Sequence, residues 1–359
     1  NDAAAVADSV VASNAAGYGG GLFLSSRAAT LSRNVIEANT AITSGGGMLL
    51  VRSADATLDG NIVLANSAGS GGGLYLERTD AMLTSNIVAD NRADVAGSGL
   101  YILDASPRLL HTTLVRNEGG DGSGLHVAST PSDFSAVALT NTVLVSHAVG
   151  ITVSAGNTAT LEATLWGAGV WANVIDWDGA GVVDTGTPAY NVWGDPDFVD
   201  PNAGDYHIGL ASAALDQGVP AGVAVDVDGD PRPQGRRCEL GADETGVVVT
   251  KRASSSAVGP GGRLSYTLRI TNTTTVALTA VVTDHLPAHV TPAGPLTWIA
   301  VAIDPDGAWV RTIPVTVAMG YTGALTNVLQ VTTDEGPEGA CTAVSLAGYA
   351  VYMPVVFRG

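Results

Sequence analysis

Glycine clusters recur along the first 150 residues at a nearly fixed step, and that step decides what the chain can fold into. They are Gly19-Gly20-Gly21, Gly45-Gly46-Gly47, Gly71-Gly72-Gly73, Gly97-Ser98-Gly99 and Gly122-Ser123-Gly124, with Gly150 continuing the series. Between the last glycines of successive clusters the steps are 26, 26, 26, 25 and 26 residues. A period of this size marks stacked structural repeats. Each cluster precedes a strand-like triplet: Leu22-Phe23-Leu24, Met48-Leu49-Leu50, Leu74-Tyr75-Leu76, Leu100-Tyr101-Ile102, Leu125-His126-Val127 and Ile151-Thr152-Val153. A second strand reads Ala29-Thr30-Leu31, Ala56-Thr57-Leu58 and Ala81-Met82-Leu83. A third reads Asn34-Val35-Ile36, Asn61-Ile62-Val63 and Asn86-Ile87-Val88, and ends at Asn39, Asn66, Asn91 and Asn117.

Three strands per coil of about 26 residues predict an all-β, right-handed parallel β-helix over 1–245. One coil cannot bury its own apolar side, but coils stacked at the ~4.8 Å strand spacing pair every strand above and below. Equivalent residues then form columns, and Ile36, Val63, Val88, Leu114, Val143 and Leu165 are expected inside. Asn34, Asn61 and Asn86 are expected to stack amide on amide at a bend, where asparagine and glycine tolerate left-handed backbone. The 3.6-residue period of helical repeats is missing. Asp8 to Asn14 matches the third strand, so the chain opens partway round a coil. Either the chain has been trimmed there or another molecule covers that end, with Val10 and Val11 the residues to meet it.

At 359 residues the chain exceeds the roughly 250–300 over which one core keeps growing, so two domains are expected. A net charge of −18 and scattered arginines exclude a nucleic-acid partner. No run of ~20 apolar residues spans a membrane as a helix. The chain opens on Asn1 without a leader, so export implies one removed or lying elsewhere. Cys238 and Cys341 either bridge or stand as thiols.

From about Gly194 the repeat gives way to W-G-D-P-D-F-V-D-P-N-A-G-D-Y-H-I (193–208), S-A-A-L-D-Q-G (212–218), D-V-D-G-D-P-R-P-Q-G (226–235) and E-L-G-A-D-E (239–244). This block resembles the C-terminal closing segment of the choice-of-anchor Q family of parallel β-helix proteins. The resemblance implies fold and export from a bacterium, and brings no catalytic residues with it. Ala213 departs from the family, which has proline there. Next, K-R-A-S-S-S-A-V-G-P-G-G-R-L-S-Y-T-L-R-I-T-N-T (251–273) and V-V-T-D-H-L-P (281–287) resemble the immunoglobulin-like conserved repeat of bacterial surface proteins. Leu264, Tyr266, Leu268 and Ile270 alternate with polar residues as a half-buried strand does, and an immunoglobulin-like sandwich is expected over 247–335. The remainder, 340–359, reads as an apolar strand or tail that completes the sandwich or adds to a neighbour's sheet through Tyr349, Val351, Met353, Val355 and Phe357.

Two ligand sites are candidates, and a third arrangement is set aside. Asp226, Asp228 and Asp230 alternate as calcium-loop acids do, although the EF-hand spacing is not met; a turn is the other reading, and calcium the ion implied. Trp166, Trp171, Trp177 and Trp193 fall close together and either stack on sugar rings or seal the end of a core; the register points Trp166 outward. Arg52, Arg78 and Asp104 share a column, whereas Asp59, Asp80, Asp90 and Asp104 do not, so no carboxylate pair of a polysaccharide-cleaving site assembles. The sequence therefore points to a non-catalytic, extracellular or cell-surface structural protein that associates with itself or other surface proteins, head to tail. A glycan-binding or glycan-cleaving module is the alternative.

Overall fold

The computed structural model describes residues 3–235 and 237–348. The chain divides into two compact units, Asn1–Thr245 and Gly246–Gly359.

The first unit is a parallel β-helix. As far as Gly119 its coils carry four strands each, one more than the sequence suggested. The first face is a seven-stranded sheet running from Leu22–Leu24 through Met48–Val51, Leu74–Glu77 and Leu100–Leu103 to Ile175–Asp178. The second face (Ala28–Ser32 and its equivalents) and the third (Val35–Glu37 and its equivalents) join in one bent sheet of 14 strands. The additional face is a five-stranded sheet: Ala15–Tyr18, Thr40–Ser44, Ser67–Ser70, Arg92–Ala96 and Glu118–Gly119. Small and polar residues dominate it, so it carries no apolar alternation to betray it.

At the corners the left-handed residue is the one before each asparagine: Arg33 before Asn34, Ala38 before Asn39, Ala65 before Asn66, all with φ between 51° and 54°. The asparagine itself turns its amide inward. Asn34, Asn61 and Asn86 form one ladder, as expected. Asn14, Asn39, Asn66, Asn91 and Asn117 form a second, each Nδ2 donating to the Oδ1 of the next at 2.9–3.0 Å. Each inner rung also donates to a backbone carbonyl of the preceding coil, as Asn66 does to Ile36. Buried polar groups are thereby satisfied without water. Glycine is required beside the ladder: a Cβ on Gly47 would lie 2.7 Å from the Gly73 carbonyl oxygen and 3.0 Å from Asn66 Nδ2. Gly45 adds a left-handed φ of 68°.

His147 stands in the second ladder where the other coils have asparagine, between Asn117 (3.2 Å) and Asn173 (3.2 Å). Burial pushes its pKa down to about 4. A histidine kept neutral contributes stability above its unfolded pKa of about 6.5, and that contribution is lost as pH falls through the folded value. His147→Asn is expected to keep the ladder and remove this loss. Urea unfolding at pH 4 and pH 7 checks it: the pH-dependent deficit should shrink by roughly 3 kcal/mol in the variant. Equal deficits in both proteins would refute the assignment.

The inner column runs Ile36, Val63, Val88, Leu114, Leu144 and Trp166. The expected column is therefore one residue out after Leu114. The chain advances 30 residues from Leu114 to its partner Leu144, because a turn around 130–134 lengthens that coil. Val143 and Leu165 consequently face outward, yet both are fully buried.

What buries them is the segment 194–245. It does not cap the end of the solenoid but folds back along the third face. Val219 is bonded to the Asn141 side chain and Ala242 to Thr113, while Ser85 donates to the Val225 carbonyl. Phe198, Tyr206, Ile208, Ala214, Val227, Leu240 and Ala242 pack onto Ile87, Ala89, Val115, Val143, Val145 and Leu165 in a second core. The third strand is buried on both faces and reads as a continuous apolar run, as such strands do. Val10, on the same outward column as Ile62 and Ile87, lies beyond the strap and is 68% exposed.

The second unit comprises two mainly antiparallel sheets, of four strands and of five. The expected boundary at 335 moves: Glu338–Ala347 pairs along its whole length with Gly323–Thr333, inside the five-stranded sheet. Residues Tyr349, Val351, Met353, Val355 and Phe357 lie outside the described residues. Among the described residues no helix is long and apolar enough to cross a membrane.

Candidate functional site

The acidic blocks of the strap, separate in sequence, converge in the fold. Asp226, Glu239, Asp243 and Glu244 are each at most 6% exposed. Arg232 enters among them with its side chain 1% exposed, donating from Nη1 to Glu244 Oε2 (2.5 Å) and from Nη2 to the Ala242 (2.6 Å) and Gly241 (3.1 Å) carbonyls. Glu244 also accepts from the Gln234 backbone amide. Burial, together with the Glu244 carboxyl beside it, pushes Glu239 far up, so it holds a proton at neutral pH. One proton shared between two adjacent acids removes the repulsion that would otherwise open the site.

Asp226 is the hub of the D-V-D-G-D turn. Its Oδ1 accepts from the amides of Asp228 (3.0 Å) and Asp230 (2.8 Å), and its Oδ2 accepts from the amide of Glu244 (3.1 Å). Burial raises its pKa to about 7. Of the three acids proposed for calcium, Asp228 alone turns to a different cluster, in which single atoms of His207, Asp228 and Asp243 lie within 4.8 Å of one another. His207 bonds Asp205 through Nδ1 (2.6 Å) and Asp228 through Nε2 (2.8 Å). The hydrogen bond to Asp228 raises the His207 pKa to about 10, and the nearby Asp243 and Asp205 act in the same direction. As an imidazolium it supplies the positive charge for these acids. Sequence reading missed both Arg232 and His207. Arg232 lies 12 residues from Glu244 and His207 lies 21 from Asp228, with no spacing rule to link them.

The tryptophans take different places. Trp166 is fully buried, as the register shift requires, and packs against Trp177 at 5.4 Å. Trp193 is paired beside it on the last strand of the third face, 56% exposed, with Nε1 donating to Asp176. Trp171 packs edge-on against Phe198 at 5.1 Å. Trp166, Trp177 and Trp193 thus gather where the solenoid ends.

A different aromatic row lies on the outside of the first face. Tyr75 stacks on Tyr101 at 4.8 Å and 8°, and Tyr101 on His126 at 4.9 Å and 1°. His126 is fixed by Asp121 at Nδ1. Phe23 continues the row at 55% exposure, with Leu49 between. The signal was available in the sequence: these are the middle residues of successive triplets, one repeat apart. A cavity of about 450 Å³ opens between strap and solenoid, lined by His111, Tyr190, Val219, Pro220, Arg232 and Cys238. Burial raises the Cys238 pKa, which leaves it a poor nucleophile. Cys238 and Cys341 are both free thiols.

Residues 1–165 match the family described as the right handed beta helix region. The first unit is a right-handed parallel β-helix. No curated protein matches the chain. Among solved structures, the sporulation control protein Spo0M of Bacillus subtilis is 10% identical over 29% of this chain and 50% of that one, with a TM-score of 0.23. A CARDB domain from Pyrococcus furiosus, in complex with di-metal ions, is 12% identical over 29% of this chain and 89% of its own, with a TM-score of 0.23. A family 123 glycoside hydrolase from Clostridium perfringens is 9% identical over 29% and 28%, with a TM-score of 0.22. Similarities this weak carry no argument about fold or activity.

Proposed function

We propose that the chain is a non-catalytic structural protein of the bacterial cell surface or extracellular space. The observation that supports this most is the fate of the clustered charges. Arg232, Asp226 and Glu244 are buried and bonded to one another or to backbone groups, which supports a role in holding the strap down rather than meeting a substrate. In this reading His207 is the strap's internal cation. Calcium is expected to leave the melting temperature unchanged, and a rise with calcium would assign His207, Asp228 and Asp243 to a metal instead.

The finer part of the proposal is association through the first coil. Among the described residues Ala3–Ala7, Val10–Ala12, Ala15–Tyr18 and Leu22–Leu24 are each paired on one side only, and Val10, Tyr18 and Phe23 are exposed beside them. An unpaired strand edge accepts another strand. Sedimentation velocity of the full chain across micromolar concentrations is expected to show association that Val10→Lys with Phe23→Lys abolishes. One unchanging species would remove this part of the reading.

The aromatic row Tyr75–Tyr101–His126 favours a second reading, a glycan-binding surface. If it binds, Tyr75→Ala with Tyr101→Ala should weaken retention on a polysaccharide affinity gel about tenfold or more, since stacked rings contribute roughly 1 kcal/mol each. Equal migration of the wild-type chain in gels with and without polysaccharide would eliminate it.

A further inference from the structure

The chain has one lysine, and it is buried in the second unit. Lys251 lies on Val247–Ala253, the first strand of that unit, and its side chain is 0% exposed. Its Nζ is in contact with Oδ1 of Asp284, whose side chain is also 0% exposed. Asp284 Oδ2 has no hydrogen-bond partner. Asp284 sits on Leu278–His285, directly opposite Leu329 of Gly323–Thr333. Two residues along that strand, on the same face, stands Asn327. It is fully buried, and neither its Oδ1 nor its Nδ2 has a partner. The ring of Tyr266 lies 5.5 Å from Lys251 Nζ and closes the pocket.

A primary amide sealed in a core with none of its hydrogen bonds made is rare in native proteins. So is a buried ammonium whose counter-ion is a carboxylate with one oxygen left unbonded. Both anomalies fall on neighbouring side chains. Diagonal neighbours on paired strands stand roughly 7 Å apart, which a lysine side chain spans. The three groups are also chemically complementary, as amine, acyl donor and proton carrier.

We propose that Lys251 and Asn327 form an intramolecular isopeptide bond, with Asp284 carrying the proton. Asp284 takes a proton from the Lys251 ammonium and frees the amine as a nucleophile. Burial disfavours the charged amine and acts in the same direction. The Nζ lone pair attacks Asn327 Cγ to give a tetrahedral centre. Asp284 then returns the proton to Nδ2 and takes the second one from Nζ, the Cγ–Nδ2 bond breaks, and ammonia leaves, carrying that second proton away as ammonium. One amide C–N bond forms and one breaks, and no oxidant or cofactor is needed. Asn327 is the acyl donor rather than Asp284, because a carboxylate facing an ammonium is a poor electrophile. The product ties a strand of the four-stranded sheet to a strand of the five-stranded one.

Intact-mass measurement of the denatured, reduced full chain tests this. The wild-type mass is expected about 17 Da below that of the sequence, the mass of one ammonia. Tryptic digestion should give a branched peptide joining Lys251 to Asn327. Lys251→Arg, Asn327→Ala and Asp284→Ala should each restore the full mass. The measurement is made on unfolded chains, so a variant that folds poorly still reports. A wild-type chain at full mass would overturn the proposal, as would a loss of about 18 Da with the branch at Asp284. Retention of the deficit in Asp284→Ala would overturn the role given to Asp284.

Discussion

Asn66→Ala is expected to cost the β-helix roughly 4–6 kcal/mol, most of the stability of an ordinary domain. The side chain occupies the middle of the second ladder, fully buried. Its Oδ1 accepts from the backbone amide (2.9 Å) and Nδ2 (3.0 Å) of Asn39, and its Nδ2 donates to the Ile36 carbonyl (2.8 Å) and to Asn91 Oδ1 (3.0 Å). Truncation leaves all of these groups short of a partner at once, each at about 1–3 kcal/mol when water cannot reach them. Asn14→Ala, on the exposed outermost rung, breaks the same kind of bond where solvent replaces it and should cost less than about 1 kcal/mol. Urea unfolding of both variants checks the contrast. Equal, small losses would mean that the ladder contributes nothing beyond its backbone.

Arg232→Ala is expected to release the strap at a cost of roughly 3–5 kcal/mol, the usual result of removing one partner from a buried ion pair. The guanidinium satisfies Glu244 and the carbonyls of Gly241, Ala242 and Asp243 together, so its loss strands a carboxylate and three acceptors. Limited proteolysis should then cut within 194–245 while the coils before Gly150 stay protected. Adding Glu244→Gln to Arg232→Ala should recover part of the loss, since the remaining acceptors are neutral. A double variant as unstable as the sum of the singles would contradict the pairing.

The period of the solenoid was legible because stacking demands glycine at the same corner of every coil, where a Cβ meets the next coil's carbonyl. Asn34, Asn61 and Asn86 were legible as a ladder for the same reason. The fourth strand was not, since Ser67–Ser70 and its neighbours bury too little to need apolar side chains. Register failed at Val143 and Leu165 because the strap buries the outer column too, and a one-residue slip then exchanges one apolar row for another. That slip placed Trp166 outside when it lies inside. The strap's path depends on contacts such as Asn141 with Val219, 78 residues apart, and Arg232 and His207 acquire meaning only once that path is known. Asp226, read as a calcium acid, occupies a position where three backbone amides converge; alternating acids in a glycine turn serve either purpose. Lys251 and Asp284 come together only through strand pairing across the second unit.

In the proposed function the clustered acids of the strap hold structure together and do no chemistry. Incubating the full chain with neutral and anionic polysaccharides, with and without calcium, and reading new reducing or unsaturated ends tests it most directly. No new ends at any pH between 5 and 9 is the expected result. Cleavage by the wild type that disappears in Asp228→Asn, with the melting temperature unchanged, would contradict it.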